Sequence, residues 1–432
     1  MEQTLLEDTT ISGQKIVLIS SSPIPHSNNI TDGPGYRAWT LFQEIAKRHE
    51  TVIISLYESY HKKLERELEV TEDNYLIKCI HHQPRRVARA VVEEAPDVIY
   101  LPWSSTPFIS RLTEKIPTIV DYVGSGLLEY FVSYGYIPPS FLRLKIESFW
   151  LGDFLMTAGI REKYYLLGLL AASKRLSFRA QRLPMSLINV IPMSPPCNPP
   201  TLRRKVLEKD PNELIILVSG AFLPWYDYST FFEALSLLIE RKATNYRVIF
   251  LGGNPRDPIF ERLVLKLGCD PRINNNLIFT GLIPFKERGN YYLSSDIGMN
   301  IPLPTVEDEL SVRTRVIDYI WGGLPVVTPA RDEYSKMVVE NGGGLEYSPG
   351  NAHSLSQVIE SLTNESGREK LERLKNKISH IYEESLRMQK ELVKPLERFI
   401  LDPFVDPARK SSRRYFPELL LLARDALRLL RP

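Results

Sequence analysis

The first half of the chain alternates between short apolar runs and longer stretches whose apolar residues recur at helical spacing. The runs are typical of buried strands, because aliphatic and β-branched residues fill them and turn residues bound them. The predicted strands are Lys15–Ser20, His49–Leu56, Asp97–Leu101 and Pro117–Asp121, with weaker ones at Phe154–Ala158 and Leu187–Ile191. Helices are predicted after Asp32, a residue that can cap a helix, and over Arg85–Glu94. This alternation predicts a parallel sheet with crossover helices.

The pattern restarts after Pro199–Pro211, a polar, charged and proline-flanked segment typical of a linker. The strands of this second series are Glu213–Ser219, Tyr246–Leu251, Leu277–Thr280, Ile297–Asn300 and Pro325–Thr328. Its helices are Thr230–Arg241, Glu287–Ser294 and Val312–Trp321. The fold class is therefore α/β, with two Rossmann-like doubly wound lobes of similar size in succession. Because ligands bind beyond the carboxyl ends of such strands, two facing lobes create one central cleft.

The last fifth of the chain contains two further predicted helices. One covers Ser385–Ile400, with Met388, Leu392 and Leu396 on one face. The other covers 413–432 and carries an apolar stripe framed by arginines, which is typical of a basic amphipathic helix. Such a helix lies at a membrane surface or packs on its own domain. We expect a first lobe over 1–200, a second over 201–384, a connecting helix over 385–403 and a tail over 404–432.

Composition and charge exclude several classes of protein. The 432 residues are 43% hydrophobic and 25% charged with a net charge of +2, which gives no general reason to expect nucleic-acid binding. Three scattered cysteines form no metal spacing and favour a reducing compartment. The acidic start lacks the basic region of a signal peptide, and no apolar run is long enough to span a membrane. The seven histidines form no metal motif, and no G-x-S-x-G hydrolase motif is present.

The segment 305–327 is the strongest candidate for chemistry. On a helix, Arg315 and Asp318 are three residues apart and share a face, while Arg313 lies to one side. Arginine forks and the free N–H groups of a helix N-terminus both fit phosphate oxygens, and a carboxylate one turn further on fits sugar hydroxyls. These features together predict a nucleoside-diphosphate site. The alternative is a surface ion pair between Arg315 and Asp318, worth about 0–1 kcal/mol.

Loops after other strands supply further candidates, each with a structural alternative. The loop after the first strand leads into a helix and contains Gly33, Gly35 and Arg37. A second loop, with Trp225 and Asp227, precedes a helix that Asp227 or Ser229 could cap. Asp121 ends a strand, with Glu129 eight residues later, and either orients an acceptor hydroxyl or caps a helix. Gly252 and Ile283 lie in the turns 251–255 and 281–288 after two strands of the second series.

The motif Ser311-x-Arg313-Thr314-Arg315-x-x-Asp318-Tyr319-x-Trp321-x-Gly323-Leu324-Pro325 resembles the donor-site helix of glycosyltransferase family 4, and residues 219–235 and 32–39 resemble two of the family's loops. The resemblance extends from about Lys15 to Pro403 and implies a GT-B fold. The resemblance implies that Asp318 binds the ribose of the donor. It also implies that a further group of residues lies near the donor, namely Ser311, Arg313, Arg315, Trp225, Asp227, Gly33, Gly35 and Arg37. It puts Gly252 beneath the nucleotide and Ile283 in the loop that reads the base. Leu310 stands where the family usually has an acid, so Glu307 and Glu309 become the candidates for contacting the transferred sugar.

The function that the resemblance implies is a retaining, metal-independent glycosyltransferase, hexosyltransferase-like, that uses a nucleotide sugar and no other cofactor. The first lobe would then bind the acceptor, a glycan or a lipid-linked glycan of cell-surface polysaccharide synthesis. We expect a cytoplasmic protein, with the tail 413–432 as a candidate contact to the inner membrane face. The alternatives are a GT-B nucleotide-sugar epimerase and a non-catalytic sugar- or nucleotide-binding scaffold.

Overall fold

The computed structural model describes residues 12–25, 30–57, 68–72, 75–81, 83–109, 112, 115–173, 175–176, 187–241, 245–253, 258, 261–262, 273, 275–363, 365–406 and 409. The tail helix predicted over 413–432 lies outside these residues. No helix within the described ranges is long and apolar enough to cross a membrane.

The first lobe is built on an eight-stranded sheet. Its strands are β1 (Ser12–Ser20), β2 (His49–Tyr57), β3 (Leu68–Glu72), β4 (Tyr75–His81), β5 (Val98–Pro102), β6 (Thr118–Asp121), β7 (Phe154–Thr157) and β8 (Ile188–Val190). They lie in the order β3-β4-β2-β1-β5-β6-β7-β8, and every neighbouring pair is parallel except β3 and β4. The helices are α1 (Gly33–Ile45), α2 (Pro84–Glu94), α3 (Thr106–Ile109), α4 (Gly126–Tyr134), α5 (Pro139–Leu151) and α6 (Ile160–Ala172).

The local sequence explains where the first elements begin and end. Residues Ile16–Ile19 of β1 are fully buried, as expected for a central parallel strand covered on both faces. Helix α1 begins after Asp32, whose carboxylate accepts a hydrogen bond from the Gly35 N–H at 3.0 Å. Pro34 lies in the first turn, where its missing N–H costs nothing. The predicted cap is therefore confirmed, and it fixes the loop between β1 and α1.

The second lobe contains a six-stranded parallel sheet in the order β11-β10-β9-β12-β13-β14. The strands are β9 (Leu214–Ser219), β10 (Tyr246–Leu251), β11 (Leu277–Gly281), β12 (Ile297–Met299), β13 (Val326–Thr328) and β14 (Gly344–Glu346). Its helices are α7 (Tyr228–Glu240), α8 (Arg288–Leu293), α9 (Val306–Leu310), α10 (Thr314–Trp321), α11 (Glu333–Glu340) and α12 (Ala352–Glu360). Two doubly wound lobes are thus present, and the predicted fold class is confirmed.

The connection back to the first lobe differs from the single helix predicted over Ser385–Ile400. It consists of α13 (Glu365–Leu392) and α14 (Lys394–Leu401), which meet at Val393 because Pro395 cannot continue the hydrogen bonding of α13. Leu396 of α14 is fully buried in the core of the first lobe. Met388 of α13 is 49% exposed, so it does not share a buried face with Leu396.

The two lobes touch through apolar and polar contacts. Tyr36, Ala158 and Met193 of the first lobe form one buried cluster with Val312 and Ile317 of the second. Polar contacts across the same boundary join the Ser125 and Ser311 hydroxyls at 2.7 Å, the Ile160 N–H and Glu333 at 2.9 Å, and the Met193 N–H and the Tyr334 hydroxyl at 3.0 Å. The lobes are therefore closed on each other, and the carboxyl ends of both sheets face the boundary.

Candidate active site between the lobes

A cavity of about 350 Å³ lies between the carboxyl ends of the two sheets. The first lobe contributes the loop that precedes α1, including Asp32 and Gly33. The second lobe contributes the turns after β9 and β10 and the start of α10. Residues of the cavity wall that matter below are Gly220, Tyr226, Gly252, Arg288, Arg315 and Asp318. A larger cavity of about 910 Å³ lies along α13.

Arg315 is a buried cation that faces this cavity. It lies in the first turn of α10 and is 5% exposed. Its guanidinium carbon is 3.6 Å from the ring centroid of Tyr226, so the plane of the fork stacks on an aromatic face. The Nη1 atom is buried and has no hydrogen-bond partner among the described residues. A buried donor of this kind needs a partner, and an anion in the cavity would supply one.

Two glycines let the backbone approach the same region. Gly220 follows β9 with φ +101°, and Gly252 follows β10 with φ +97°, a region that side chains other than glycine rarely adopt. A Cβ atom on Gly220 would lie 3.2 Å from Nη2 of Arg315. A Cβ atom on Gly252 would lie 3.3 Å from the carbonyl carbon of Gly220. The turn predicted at Gly252 is therefore packed against the turn that supports Arg315.

Asp318 faces the cavity, but its ion-pair partner is not Arg315. The carboxylate pairs with Arg288, which also donates a hydrogen bond to the Tyr292 hydroxyl at 2.9 Å. The surface pair between Arg315 and Asp318 that the spacing left open is thus absent from the described contacts. Burial raises the pKa of Asp318, and the neighbouring Arg288 opposes that rise. An ionised Asp318 held by Arg288 keeps lone pairs available for hydroxyl groups of a ligand.

Sequence reasoning missed Arg288. It lies at the start of α8, in the segment 281–288 that was singled out only for its backbone. Its guanidinium also lies 5.1 Å from the Phe285 ring centroid. The sequence feature that could have identified Arg288 is its position at the end of the loop that follows β11, the same loop that contains the predicted base-binding residue Ile283. Ile283 itself lines the cavity, as does Arg288.

Arg313 does not line the cavity, although it is only two residues from Arg315. It occupies the N-cap position of α10, and its guanidinium turns toward α9. There Nη2 contacts Glu307 at 2.6 Å and Nε contacts Asp308 at 3.1 Å. Contacts with these two carboxylates therefore occupy the Arg313 guanidinium, which was predicted to bind the donor phosphates. The described geometry therefore gives Arg313 the role of positioning α9.

The acids of α9 point in different directions. Glu307 is buried and accepts a hydrogen bond from Ser311 Oγ at 2.7 Å, while Ser311 also touches Ser125 across the lobe boundary. Burial raises the pKa of Asp308 to about 7, against the opposing charge of Arg313. Glu309 is half exposed and pairs with Arg331 at 2.5 Å. Both candidates for contacting a sugar lie at the lobe boundary: Glu307 is buried there, while the Glu309 carbonyl accepts a hydrogen bond from Arg161 of the first lobe at 3.0 Å, beside a separate cavity.

The predicted residues of the first lobe fall into two groups. Gly33 lines the cavity, and a Cβ atom there would lie 3.3 Å from Thr314 of the second lobe. Gly35 has no space for a side chain, because a Cβ atom would lie 2.2 Å from the Pro23 carbonyl oxygen. Arg37 and Asp121 form a buried ion pair with Nε and Oδ2 3.0 Å apart, outside the cavity wall.

This buried pair is tied to its own lobe by further contacts. The Tyr100 hydroxyl donates to Asp121 at 2.6 Å, and Arg37 Nη1 donates to the Pro192 carbonyl at 2.8 Å. One nitrogen of Arg37 and one oxygen of Asp121 are left without a hydrogen-bond partner among the described residues. The pair therefore braces the first lobe beneath the cleft.

Asp227 acts as the N-cap of α7, which was the structural alternative considered for it. Its carboxylate accepts from the Thr230 N–H at 3.1 Å and from the Thr230 hydroxyl at 2.6 Å. Trp225 packs against the core of the second lobe. Tyr226, the residue between them, lines the cavity, and its ring makes the cation–π contact with the Arg315 guanidinium.

Comparisons with known proteins agree with this architecture. Residues 201–380 match the family model of glycosyl transferases group 1, which covers the second lobe and the start of α13. No curated protein matches the sequence significantly. Among solved structures, sucrose-phosphate synthase from Thermosynechococcus elongatus is similar with TM-score 0.59 and 14% identity, over 89% of this chain and 99% of that chain.

Two further structures show the same fold. Anabaena HepE in complex with UDP-glucose has TM-score 0.58 and 13% identity, over 89% of this chain and 100% of that chain. The E. coli trehalose-6-phosphate protein bound with UDP-2-fluoro glucose has TM-score 0.60 and 12% identity, over 90% of this chain and 99% of that chain. The resemblance to glycosyltransferases and the GT-B fold are confirmed. The second lobe is thus similar to glycosyl transferases group 1, and the chain has the GT-B fold.

Proposed function

We propose that the protein transfers a sugar from a nucleotide-sugar donor to a glycan or lipid-linked acceptor. The observation that carries this proposal is the buried Arg315 guanidinium in the wall of the inter-lobe cavity, whose Nη1 atom has no hydrogen-bond partner among the described residues. A diphosphate is the group that best satisfies such a fork together with the nearby backbone turns. The match of 201–380 to glycosyl transferases group 1 and the sugar nucleotides bound by HepE and the E. coli protein support the same assignment.

The leaving group determines what the site has to do. When the sugar departs, negative charge grows on the nucleoside diphosphate, and a preorganised cation stabilises that charge in a water-poor cavity. Arg315 supplies this cation, while Asp318, held by Arg288, accepts hydrogen bonds from ribose hydroxyls. Closure of Gly33 against Thr314 excludes water, which would otherwise hydrolyse the donor.

The finer parts of the proposal follow from the family resemblance. We propose retention of anomeric configuration, no divalent metal, a hexose donor and a role in cell-surface polysaccharide or glycoconjugate synthesis. The first lobe would bind the acceptor, and the tail 413–432 would contact the inner face of the membrane if the acceptor is lipid-linked. Glu307 would contact the transferred sugar, because it lies at the lobe boundary.

Titration with UDP, GDP and ADP, followed by incubation with the matching sugar nucleotides, tests the proposal. We expect binding of one nucleoside diphosphate and its release from the corresponding sugar nucleotide. A protein that binds none of the three would favour a scaffold. Conversion of one sugar nucleotide into its epimer without release of diphosphate would favour the epimerase.

A further inference from the structure

An exposed aromatic surface of the first lobe has no part in the site described above. Phe131 and Tyr134 of α4, Tyr136 of the turn that follows and Leu142 of α5 are 51%, 64%, 58% and 40% exposed. Tyr130 belongs to the same surface, because its ring centroid lies 4.5 Å from that of Tyr134 and 6.1 Å from that of Tyr136. We call these five residues the aromatic patch. Large apolar side chains that are exposed together, and not singly, mark a surface that contacts a partner.

The local sequence explains why the patch is exposed. Helix α4 has the sequence GLLEYFVSY, and Leu127 is its only buried residue, so a largely apolar helix covers little of the core. Gly135, at φ +76°, ends the helix and turns the chain, and Pro138 precedes the start of α5. The Phe141 ring of α5 packs back on Tyr130 with 5.1 Å between the centroids. These contacts hold the patch in a defined shape on the surface.

The patch lies in a stretch of chain without charge. Residues 130–142 contain no Asp, Glu, Lys or Arg, whereas 25% of the whole chain is charged. Glu129, the one charged residue of α4, lies against the loop before the helix, where a Cβ atom on Gly124 would be 3.0 Å from its Oε1 atom. Tyrosine rings, which are apolar with one polar tip, suit the depth at which lipid headgroups meet acyl chains. A surface without charge enters that layer at low cost.

The patch is also close to the mouth of the cleft. Helix α4 follows the carboxyl end of β6, which faces the lobe boundary. Ser125, immediately before α4, joins its hydroxyl to that of Ser311 in the second lobe at 2.7 Å, and α4 packs against α9. A sugar attached to a lipid in a membrane beneath the patch would therefore reach the cleft without leaving the membrane surface.

The place where the described chain ends favours a lipid surface over a protein as the partner. Asp153, two residues after α5 ends at Leu151, accepts a hydrogen bond from the Asp406 N–H at 2.9 Å and pairs with Arg409 at 2.5 Å. The chain beyond Arg409 therefore starts beside the last turn of α5, the helix whose first turn carries Leu142. Its 23 residues contain six Lys or Arg and two Asp or Glu, a net charge of +4. A neutral aromatic patch and a basic segment attached to one helix together fit an anionic membrane.

We propose that the aromatic patch binds the surface of an anionic membrane, with its rings among the headgroups and the cleft opening beside the lipid. This contact goes beyond the proposed function, because it lies on the first lobe and needs no substrate. It also selects the lipid-linked glycan between the two acceptor classes, a step that rests on the proposed function.

Sedimentation of the full-length protein with vesicles measures the contact. The vesicles contain equal parts of phosphatidylglycerol and phosphatidylcholine, or phosphatidylcholine alone, and we expect the wild type to prefer the anionic ones. The triple variant Phe131→Ser, Tyr134→Ser and Leu142→Ser keeps every residue beyond Arg409. It should bind roughly 30-fold more weakly, because three apolar side chains no longer leave water. The control Val92→Ser with Leu202→Ser removes side chains that are 58% and 60% exposed outside the patch, and it should bind as the wild type does.

Two further measurements separate the contact from folding and from the nucleotide site. The patch residues are exposed or half-buried and are not among the described residues of the inter-lobe cavity wall. The triple variant should therefore keep the unfolding temperature and the nucleoside-diphosphate affinity of the wild type. If it does not fold, the single variant Phe131→Glu decides. It places one acid on the patch, where anionic lipid repels it, and should bind anionic vesicles roughly 10-fold more weakly.

Each outcome has one meaning for the inference. If the folded triple variant, or F131E in its place, binds anionic vesicles as tightly as the wild type, the inference is overturned. A wild type that binds neither kind of vesicle overturns it as well. If light scattering shows a wild-type dimer that the triple variant converts to a monomer, the patch is an interface between copies of the chain and the inference is wrong. Failure of the proposed function appears separately, as a wild type that binds no nucleoside diphosphate.

Discussion

Replacing Arg315 by methionine removes the guanidinium that faces the cavity while keeping an apolar chain over the Tyr226 ring. In the wild type the fork lies 3.6 Å from that ring and its Nη1 atom has no partner among the described residues. A hydrogen bond between charged groups contributes about 1.5–3 kcal/mol, and part of that is lost to desolvation. We therefore expect R315M to weaken nucleoside-diphosphate binding by about 1–3 kcal/mol, or roughly 5- to 150-fold in Kd.

Isothermal titration with UDP, GDP and ADP measures this change directly. Arg241→Met is a suitable control, because Arg241 pairs with Glu360 outside the cavity wall and its loss should leave Kd within twofold. Arg315→Lys keeps a charge but not the planar fork, so its affinity should lie between those of the wild type and R315M. R315M should unfold at the same or a higher temperature, since it removes a buried charge with no carboxylate partner. A folded R315M that binds as tightly as the wild type would refute the reasoning.

Three further predictions follow from contacts around the two sheets. Arg288→Met leaves Asp318 buried without its partner and should cost about 3–5 kcal/mol in urea unfolding, and adding Asp318→Asn should recover much of it; equal loss in both variants would contradict the pairing. Gly220→Ala strains a φ of +101° and crowds Arg315, so nucleoside-diphosphate affinity should fall, and unchanged Kd would argue against that contact. Burial lowers the pKa of Lys145 from 10.5 to about 7, so this residue costs stability increasingly as pH falls through that window. Lys145→Met should raise the unfolding temperature most below pH 7 and little near pH 10, and the opposite trend would show that Lys145 stabilises the fold.

The sequence was sufficient to predict the lobes. Strand Tyr246–Leu251 was predicted with the bounds that the structure has, and the cap at Asp32 was predicted from residue chemistry alone. Such features depend on short-range patterns and on burial, and the periodicity of apolar residues along the sequence indicates both. Most of the long helix α13 was not predicted. Its first part, from Glu365, carries charges on all but a narrow face, so the apolar pattern that indicates a helix is weak there.

The candidate site was predicted only in part, because its contacts depend on how distant segments meet. Arg313 and Arg315 look equivalent in sequence, yet the first faces the acids of α9 and the second faces the cavity. The partner of Asp318 is Arg288, thirty residues away along the chain, and no local spacing identifies it.

A crystal structure of the protein with the nucleoside diphosphate that binds best tests the central claim most directly. We predict the diphosphate in the inter-lobe cavity, with a phosphate oxygen within hydrogen-bond distance of the Arg315 guanidinium and the ribose beside Asp318. A nucleotide bound elsewhere, or one in this cavity with Arg315 turned away from its phosphates, would contradict the account.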